Sequence, residues 1–187
     1  MRHDIAFDLD GTLVDLLSVV KTIIIERHGV EFLPQEGFRL KTNPEIDSSL
    51  IWKAFDTAYR MIDEIKPMPG AQELLTRIYD VSKSPVVIVT ARPLWAAHET
   101  HKLVKKLFDI PAFIAITNAH DKKIDYLSDI NYFVDDRRAT AKMLAEAGKR
   151  VFVPRYEYNA GMDHIPEVAY ISNVGELISA IDLFVKG

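Results

Sequence analysis

The chain has 187 residues, 48% of them hydrophobic and 27% charged, which suits one globular core with at most a small insertion. A formal net charge of −4 offers no basic field to nucleic acid, and the absence of cysteine excludes disulfides, thiolate catalysis and cysteine-bound zinc. No charged-then-apolar leader precedes the first apolar run, and no stretch approaches the roughly 18 apolar residues of a membrane span, so a soluble, cytoplasmic protein is expected.

The first apolar run, Ile5-Ala6-Phe7, reads as a buried strand that breaks into Asp8-Leu9-Asp10-Gly11-Thr12. Residues Leu13 to Arg27 follow with apolar positions broad enough for a helix covered on more than one side, and Gly29 suits its C-terminal cap. Residues 30 to 42, with Pro34 and Gly37, read as a loop. Asn43-Pro44 opens a second helix, with an apolar stripe from Ile46 through Leu50, Phe55 and Met61 to Ile65, stopped at Lys66-Pro67. The stretch from about 15 to 66 is thus expected to be purely helical, with no strand in it.

Beyond Pro69-Gly70 the pattern changes to alternation. A helix over 71–79 precedes a strand over 85–90, a helix over 93–108 and a strand over 112–117. A short helix over 122–128 follows, then a strand over 132–134, a helix over 137–147, a strand over 150–153 and a last helix over 174–185. Near-continuous apolar strands between helices predict an α/β fold, a Rossmann-like three-layer core with a parallel sheet covered on both faces. Ligands bind such sheets beyond the carboxyl ends of the strands, where Asp8, Thr90 and Asp135 all fall.

Two carboxylates at a buried strand end are costly unless a cation sits between them or one of them does chemistry. Together, DLDGT at 8–12, a hydrophobic strand ending in Thr90, a lysine at 122 or 123 and FVDD at 133–136 resemble the haloacid dehalogenase-like (HAD) hydrolases. The resemblance spans most of the core, in the family's order. It implies that Asp8 attacks phosphorus to form an aspartyl-phosphate, and that Asp10 is acid to the leaving group and then base to water. It implies a magnesium ion held by Asp8, the Asp10 backbone carbonyl, Asp135 and, directly or through water, Asp136. Thr90, Ala91, Arg92 and Lys123 would bind the substrate, with Thr90 and Lys123 on its phosphate. Lys123 fits the family spacing better than Lys122. Asp10 separates a phosphatase or phosphomutase from the dehalogenases, which lack that carboxylate, and from the ATPases, which carry threonine there.

The electrostatics agree with this reading. Two unit charges 4 Å apart interact by about 4 kcal/mol at an effective dielectric near 20, so a carboxylate cannot approach a phosphate anion without compensating cations. Hard carboxylate oxygens suit magnesium. Each feature also has a plainer meaning taken singly. Asp8 and Asp10 could cap a turn, Thr90 could be a strand-end hydroxyl, Asp135-Asp136 a helix cap, and Lys123 a solvated surface charge. His98 and His101, three apart on a helix, read as a solvated face rather than a metal pair. Arg92 serves substrate or a rim aspartate equally well, and Arg137 and Arg138 read as local salt-bridge partners. Phe38, Trp52, Phe55 and Tyr59 read mainly as helical core.

The expected division is a catalytic core of residues 1–14 and 67–187 with a helical cap over 15–66. Met68-Pro69-Gly70 resembles the point where such chains re-enter the core. The small cap, the TARP following the second motif and Arg155-Tyr156-Glu157-Tyr158-Asn159 resemble the 5′(3′)-deoxyribonucleotidase-like branch. That implies a nucleoside monophosphate as substrate. A sugar phosphate, phosphoglycolate or a phosphomutase reaction are the alternatives, and a binding module on the same scaffold is the non-enzymatic one. Phosphonoacetaldehyde hydrolysis would need a Schiff-base lysine, and nothing singles out Lys21, Lys41 or Lys53. An apolar cap face is compatible with a homodimer.

Overall fold

β1 (Ile5–Phe7) lies inside a six-stranded sheet, flanked by β4 (Val86–Thr90) and β6 (Tyr132–Val134). Outside these lie β5 (Ala112–Ile116) on one edge, and β7 (Arg150–Pro154) and β8 (Val168–Ile171) on the other. The order is β5-β4-β1-β6-β7-β8 and every pairing is parallel. The protein is seen in a computed structural model that describes residues 4–29, 34–35, 39–40, 48–118, 123 and 129–185.

Strand alternation builds the layers. Phe7, Ile88 and Val134 join a core shared with α1 (Leu16–His28), α3 (Ala71–Ser82), α4 (Ala97–Leu107) and α6 (Val174–Val185). Ala6, Val89, Phe133 and Val151 face the other way, against Ala141 and Leu144 of α5 (Arg138–Glu146). The α/β three-layer expectation is therefore met. No helix among the described residues is long and apolar enough to cross a membrane.

Register sets up the rim. Phe7 pairs with Ile88 on one side and Val134 on the other, so Asp8 and Asp135 are the next residues on adjacent strands. The Asp8 N–H donates to Val134 O at 2.8 Å. Thr90 ends β4 two residues beyond Ile88.

Several boundaries differ from the sequence reading, each for a local reason. α1 begins at Leu16 because Leu13 and Val14 turn back, both donating to Leu9 O at 2.9 Å. Asp15 then caps the helix, accepting from Ser18 N at 3.0 Å and Ser18 Oγ at 2.6 Å. The stretch from 15 to 66 is not purely helical: β2 (Pro34–Gln35) and β3 (Arg39–Leu40) pair antiparallel. Strands of two residues carry no detectable alternation, so they read as loop. α2 (Ser48–Ala58) ends well before Lys66, as Arg60 and Met61 donate three residues back, to Thr57 O and Ala58 O, and tighten the last turn. Its apolar stripe had seemed to continue because Ile62 and Ile65 still pack on the core after the helix has stopped. The Asn43-Pro44 start lies outside the described residues, as does most of 122–128, where Lys123 alone is described and is helical. β8 and a 3-10 turn at Glu157–Asn159 were not anticipated.

The segment between β1 and α3 leaves and returns through one narrow neck. Asp15 N donates to Lys66 O and Met68 N to Leu13 O, both at 2.9 Å, and Val14 bridges Pro67. α1 and α2 pack onto each other and onto the sheet, with Leu16, Val20, Ile24, Ile51 and Ala54 buried in the same core as Phe7.

Candidate active site

At the carboxyl end of the sheet one buried ammonium bridges two buried carboxylates. Lys123 Nζ lies 2.8 Å from Asp8 Oδ1 and 2.7 Å from Asp135 Oδ2. Asp135 Oδ1 also accepts the Arg137 N–H at 2.9 Å, so it is held from two sides. Asp136 sits beside them, its Oδ2 accepting from Tyr158 Oη at 2.5 Å. One oxygen each of Asp8, Asp135 and Asp136 lies within 4.8 Å of the others, and this is the single such group among the described residues.

Three buried carboxylates face one lysine, and two of them, Asp8 and Asp136, are shifted upward. Burial pushes the Asp8 carboxyl up to about 7; Lys123 opposes the shift and Asp135 adds to it. Burial, then the charges of Asp8 and Asp135, hold Asp136 well above the ordinary carboxylate range. Lys123 is raised: burial pulls it down, but the Asp135 and Asp8 carboxylates outweigh that. Such a cluster must take up protons or a cation. Its all-oxygen donors, already drawn together, fit a hard divalent ion such as magnesium.

Gly11 makes the close approach possible. It has φ +80°, and a Cβ there would overlap the Asp136 carboxylate. The Tyr156 hydroxyl donates to Gly11 O at 3.0 Å. Asn159 Nδ2 donates to Asp136 O at 2.8 Å and to Pro154 O at 2.7 Å, while its backbone carbonyl accepts from the Tyr170 hydroxyl. Tyr156 and Tyr158 stack at 5.0 Å. The loop after β7 therefore buttresses both the Gly11 turn and Asp136. The sequence reading had used these residues only as a branch marker. Three hydrogen-bonding side chains in four residues, directly after a core strand, were the available signal.

Asp10 takes a different partner. Arg92 Nε donates to its Oδ2 at 2.8 Å and Nη2 to its Oδ1 at 2.6 Å. Of the two readings open for Arg92, the rim aspartate is the contact present. Thr90 is buried, and its Oγ1 accepts from Arg92 N at 3.2 Å, which leaves its proton to donate. Ala91 lies half-buried between them. Lys123 occupies the lysine position; Lys122 and Phe38 lie outside the described residues. His98 and His101 are exposed and belong to no ligand cluster, and the His101 Nδ1 bonds Ala97 O at 2.8 Å. The Arg137 Nε is buried without a hydrogen-bond partner among the described residues.

From the segment after α2, Tyr59 lays its ring 5.0 Å from the Arg92 guanidinium and meets Trp95 edge-on at 6.0 Å. Phe55 and Trp52 continue the aromatic row at 6.3 and 5.9 Å, and Arg60 lies 4.4 Å over Trp95. Phe55 and Tyr59 pack on the core as expected, while Trp52 is 66% exposed and Trp95, which was not part of that reading, 44%.

The family model of the cytosolic type C 5′ nucleotidase, deoxy (pyrimidine), NT5C, matches residues 2–182. The chain belongs to this family. It is a HAD-superfamily phosphatase, a phosphoric monoester hydrolase. None of the curated proteins matches the chain in sequence. Among solved structures, a haloacid dehalogenase-like family hydrolase from Streptococcus pneumoniae superposes with a TM-score of 0.63 at 20% identity, over 95% of this chain and 97% of that one. A HAD family hydrolase from Deinococcus radiodurans, crystallised with bound phosphate and sodium, gives 0.62 at 16% identity, over 97% and 96%. A predicted phosphoglycolate phosphatase from Haemophilus somnus gives 0.60 at 16% identity, over 97% and 99%. At these identities the likeness is one of fold, and it places this NT5C member on the HAD scaffold.

Proposed function

We propose that this protein is a magnesium-dependent nucleoside monophosphate phosphatase that works through an aspartyl-phosphate on Asp8. The observation that carries the reading is the bridge of Lys123 between Asp8 and Asp135 inside a cluster of three buried carboxylates. In this reading Asp8, Asp135, Asp136 and the Asp10 carbonyl oxygen would hold the ion, which would supply positive charge against the substrate phosphate.

Asp8 Oδ attacks phosphorus, the P–O bond to the ester oxygen breaks, and that oxygen takes a proton from the Asp10 carboxyl. Water then attacks the same phosphorus, gives its proton to Asp10, and the P–Oδ bond breaks to free Asp8 and phosphate. Thr90 Oγ1 and Lys123 Nζ donate to the phosphate oxygens and orient them. Ala91 lines the same turn.

Residues 15–66 act as a cap over this site, in a cytoplasmic enzyme. The exposed rings of Trp95 and Trp52, in line with Tyr59, favour a nucleobase, since base–aromatic stacking contributes about 1–3 kcal/mol per base. A small non-nucleotide ester is the second reading, favoured by the fold shared with the Haemophilus somnus protein. Phosphate release measured across nucleoside monophosphates, sugar phosphates and phosphoglycolate, with and without magnesium, tests both. Asp8→Asn should be inactive on all of them. A preference for phosphoglycolate or a sugar phosphate would remove the nucleotide reading.

A further inference from the structure

A proton donor must aim an oxygen at the ester, and in Asp10 both oxygens are held by Arg92. Both its side-chain oxygens accept from one guanidinium, at 2.8 and 2.6 Å. Arginine has only donors, and a protonated oxygen is a weaker acceptor than a carboxylate oxygen, so a proton on either one loosens the bond made there. Nor is Arg92 open to substrate. Its side chain is 0% exposed. Among the described residues it also meets Thr100 Oγ1, 3.4 Å from Nη1, and the ring of Tyr59. Asp10 is the one carboxylate it pairs with among the described residues.

We propose that Arg92 is a positioning residue for Asp10, which it holds by both oxygens at rest and by one during turnover. The released oxygen then swings to the ester oxygen, while the retained bond fixes the carboxyl plane. The inference rests on the acid–base role of Asp10 given above. A bidentate fork suits this task, because one arm opens while the other still orients; a lysine, with a single compact ammonium, cannot do the same. Thr100 and the Tyr59 ring keep the guanidinium plane from following the carboxyl. Tyr59 belongs to the segment between β1 and α3, so the position of that segment is coupled to the freedom of Asp10.

The test reads dependence on the leaving group. A nitrophenolate departs without a proton, whereas an alkoxide needs one. Substituted phenyl phosphates and benzyl phosphate, similar in size, are compared for wild type, Arg92→Lys and Asp10→Asn with magnesium present. We expect Arg92→Lys to lower kcat/KM, which ends at release of the alcohol and so leaves out the later base step, by about 100-fold on benzyl phosphate, within the range general acid catalysis supplies, and far less on 4-nitrophenyl phosphate. Its leaving-group dependence should approach that of Asp10→Asn.

An equal loss of kcat/KM on every ester would mean that Arg92 only supports the fold, and the proposal falls. If Arg92→Lys does not fold, Tyr59→Leu decides, because it frees the guanidinium plane while leaving the ion pair intact. A wild-type leaving-group dependence in that variant overturns the proposal. Failure of wild type to hydrolyse 4-nitrophenyl phosphate above an Asp8→Asn control would instead remove the phosphatase reading, and the proposal with it.

Discussion

Gly11 stands so close to Asp136 that a single added carbon would occupy the space of the carboxylate, in a backbone at φ +80° that disfavours side chains in any case. Gly11→Ala should therefore lose more than the roughly 1 kcal/mol of an ordinary left-handed glycine, because Asp136 must also move. Thermal melts with and without magnesium check this. The variant should melt lower and gain less from the ion than wild type does. An unchanged response to magnesium would mean that Asp136 lies outside the ion site.

Lys123 is the charge that makes two buried carboxylates tolerable. Lys123→Met leaves Asp8 and Asp135 without it, a loss of about 3–5 kcal/mol for breaking a buried pair. Urea unfolding at pH 5 and pH 8 should show the larger loss at pH 8, where the Asp8 carboxyl escapes less by protonation. An equal loss at both values would point to packing instead.

The raised Asp8 carboxyl gives a definite sign to the pH dependence of the metal-free protein. Its folded pKa of about 7 lies above the ordinary 3.8, so between these values the native state binds a proton that the unfolded chain has released. Stability contributed by this group is full below about pH 4, declines as pH climbs toward 7, and is level above that. The elevated Asp136 works in the same direction. In chelator, the melting temperature should fall across this window, with a shallower slope for Asp8→Asn. Added magnesium should stabilise more at pH 8 than at pH 5. A melting temperature that rises with pH across the window would contradict the assignment.

Tyr158 donates a short hydrogen bond to Asp136 and contacts no substrate in the proposed scheme. Removing the outer partner of a ligating carboxylate typically lowers metal affinity by about 10–100-fold. Tyr158→Phe should weaken manganese binding, measured by calorimetry with manganese standing in for magnesium, by that order, with little change in the far-ultraviolet circular dichroism. Unaltered affinity would confine Tyr158 to packing.

How much of this was legible in the chain varies with the length of the pattern that encodes it. Asp8, Thr90 and Asp135 could be placed on one rim because each ends a strand whose apolar run is uninterrupted, and parallel topology aligns those ends. α6 could be bounded from its own periodicity. The ribbon of Pro34–Gln35 with Arg39–Leu40 could not, since two residues show no period, and α2 seemed longer because apolar spacing outlived the helix. The Asp10–Arg92 pair spans 82 positions, and no local pattern could choose between an aspartate and a substrate for Arg92. The role of Tyr158 and Asn159 stayed hidden for a related reason: a hydroxyl and an amide gain meaning only from the carboxylate and carbonyl they reach.

The neck at Val14 and Pro67 has a consequence for descent. A segment that begins and ends at one bridge can lengthen, shrink or be replaced through insertion and recombination while the strands around Asp8 keep their alignment, because closing a longer loop costs little more than closing a short one. One condition travels with any replacement: it must bring an apolar underside to cover what Leu16, Val20 and Ile24 now cover. A chain on this scaffold can therefore exchange the whole segment at the neck and keep the ends of β1, β4 and β6, with Asp8, Thr90 and Asp135, where they are.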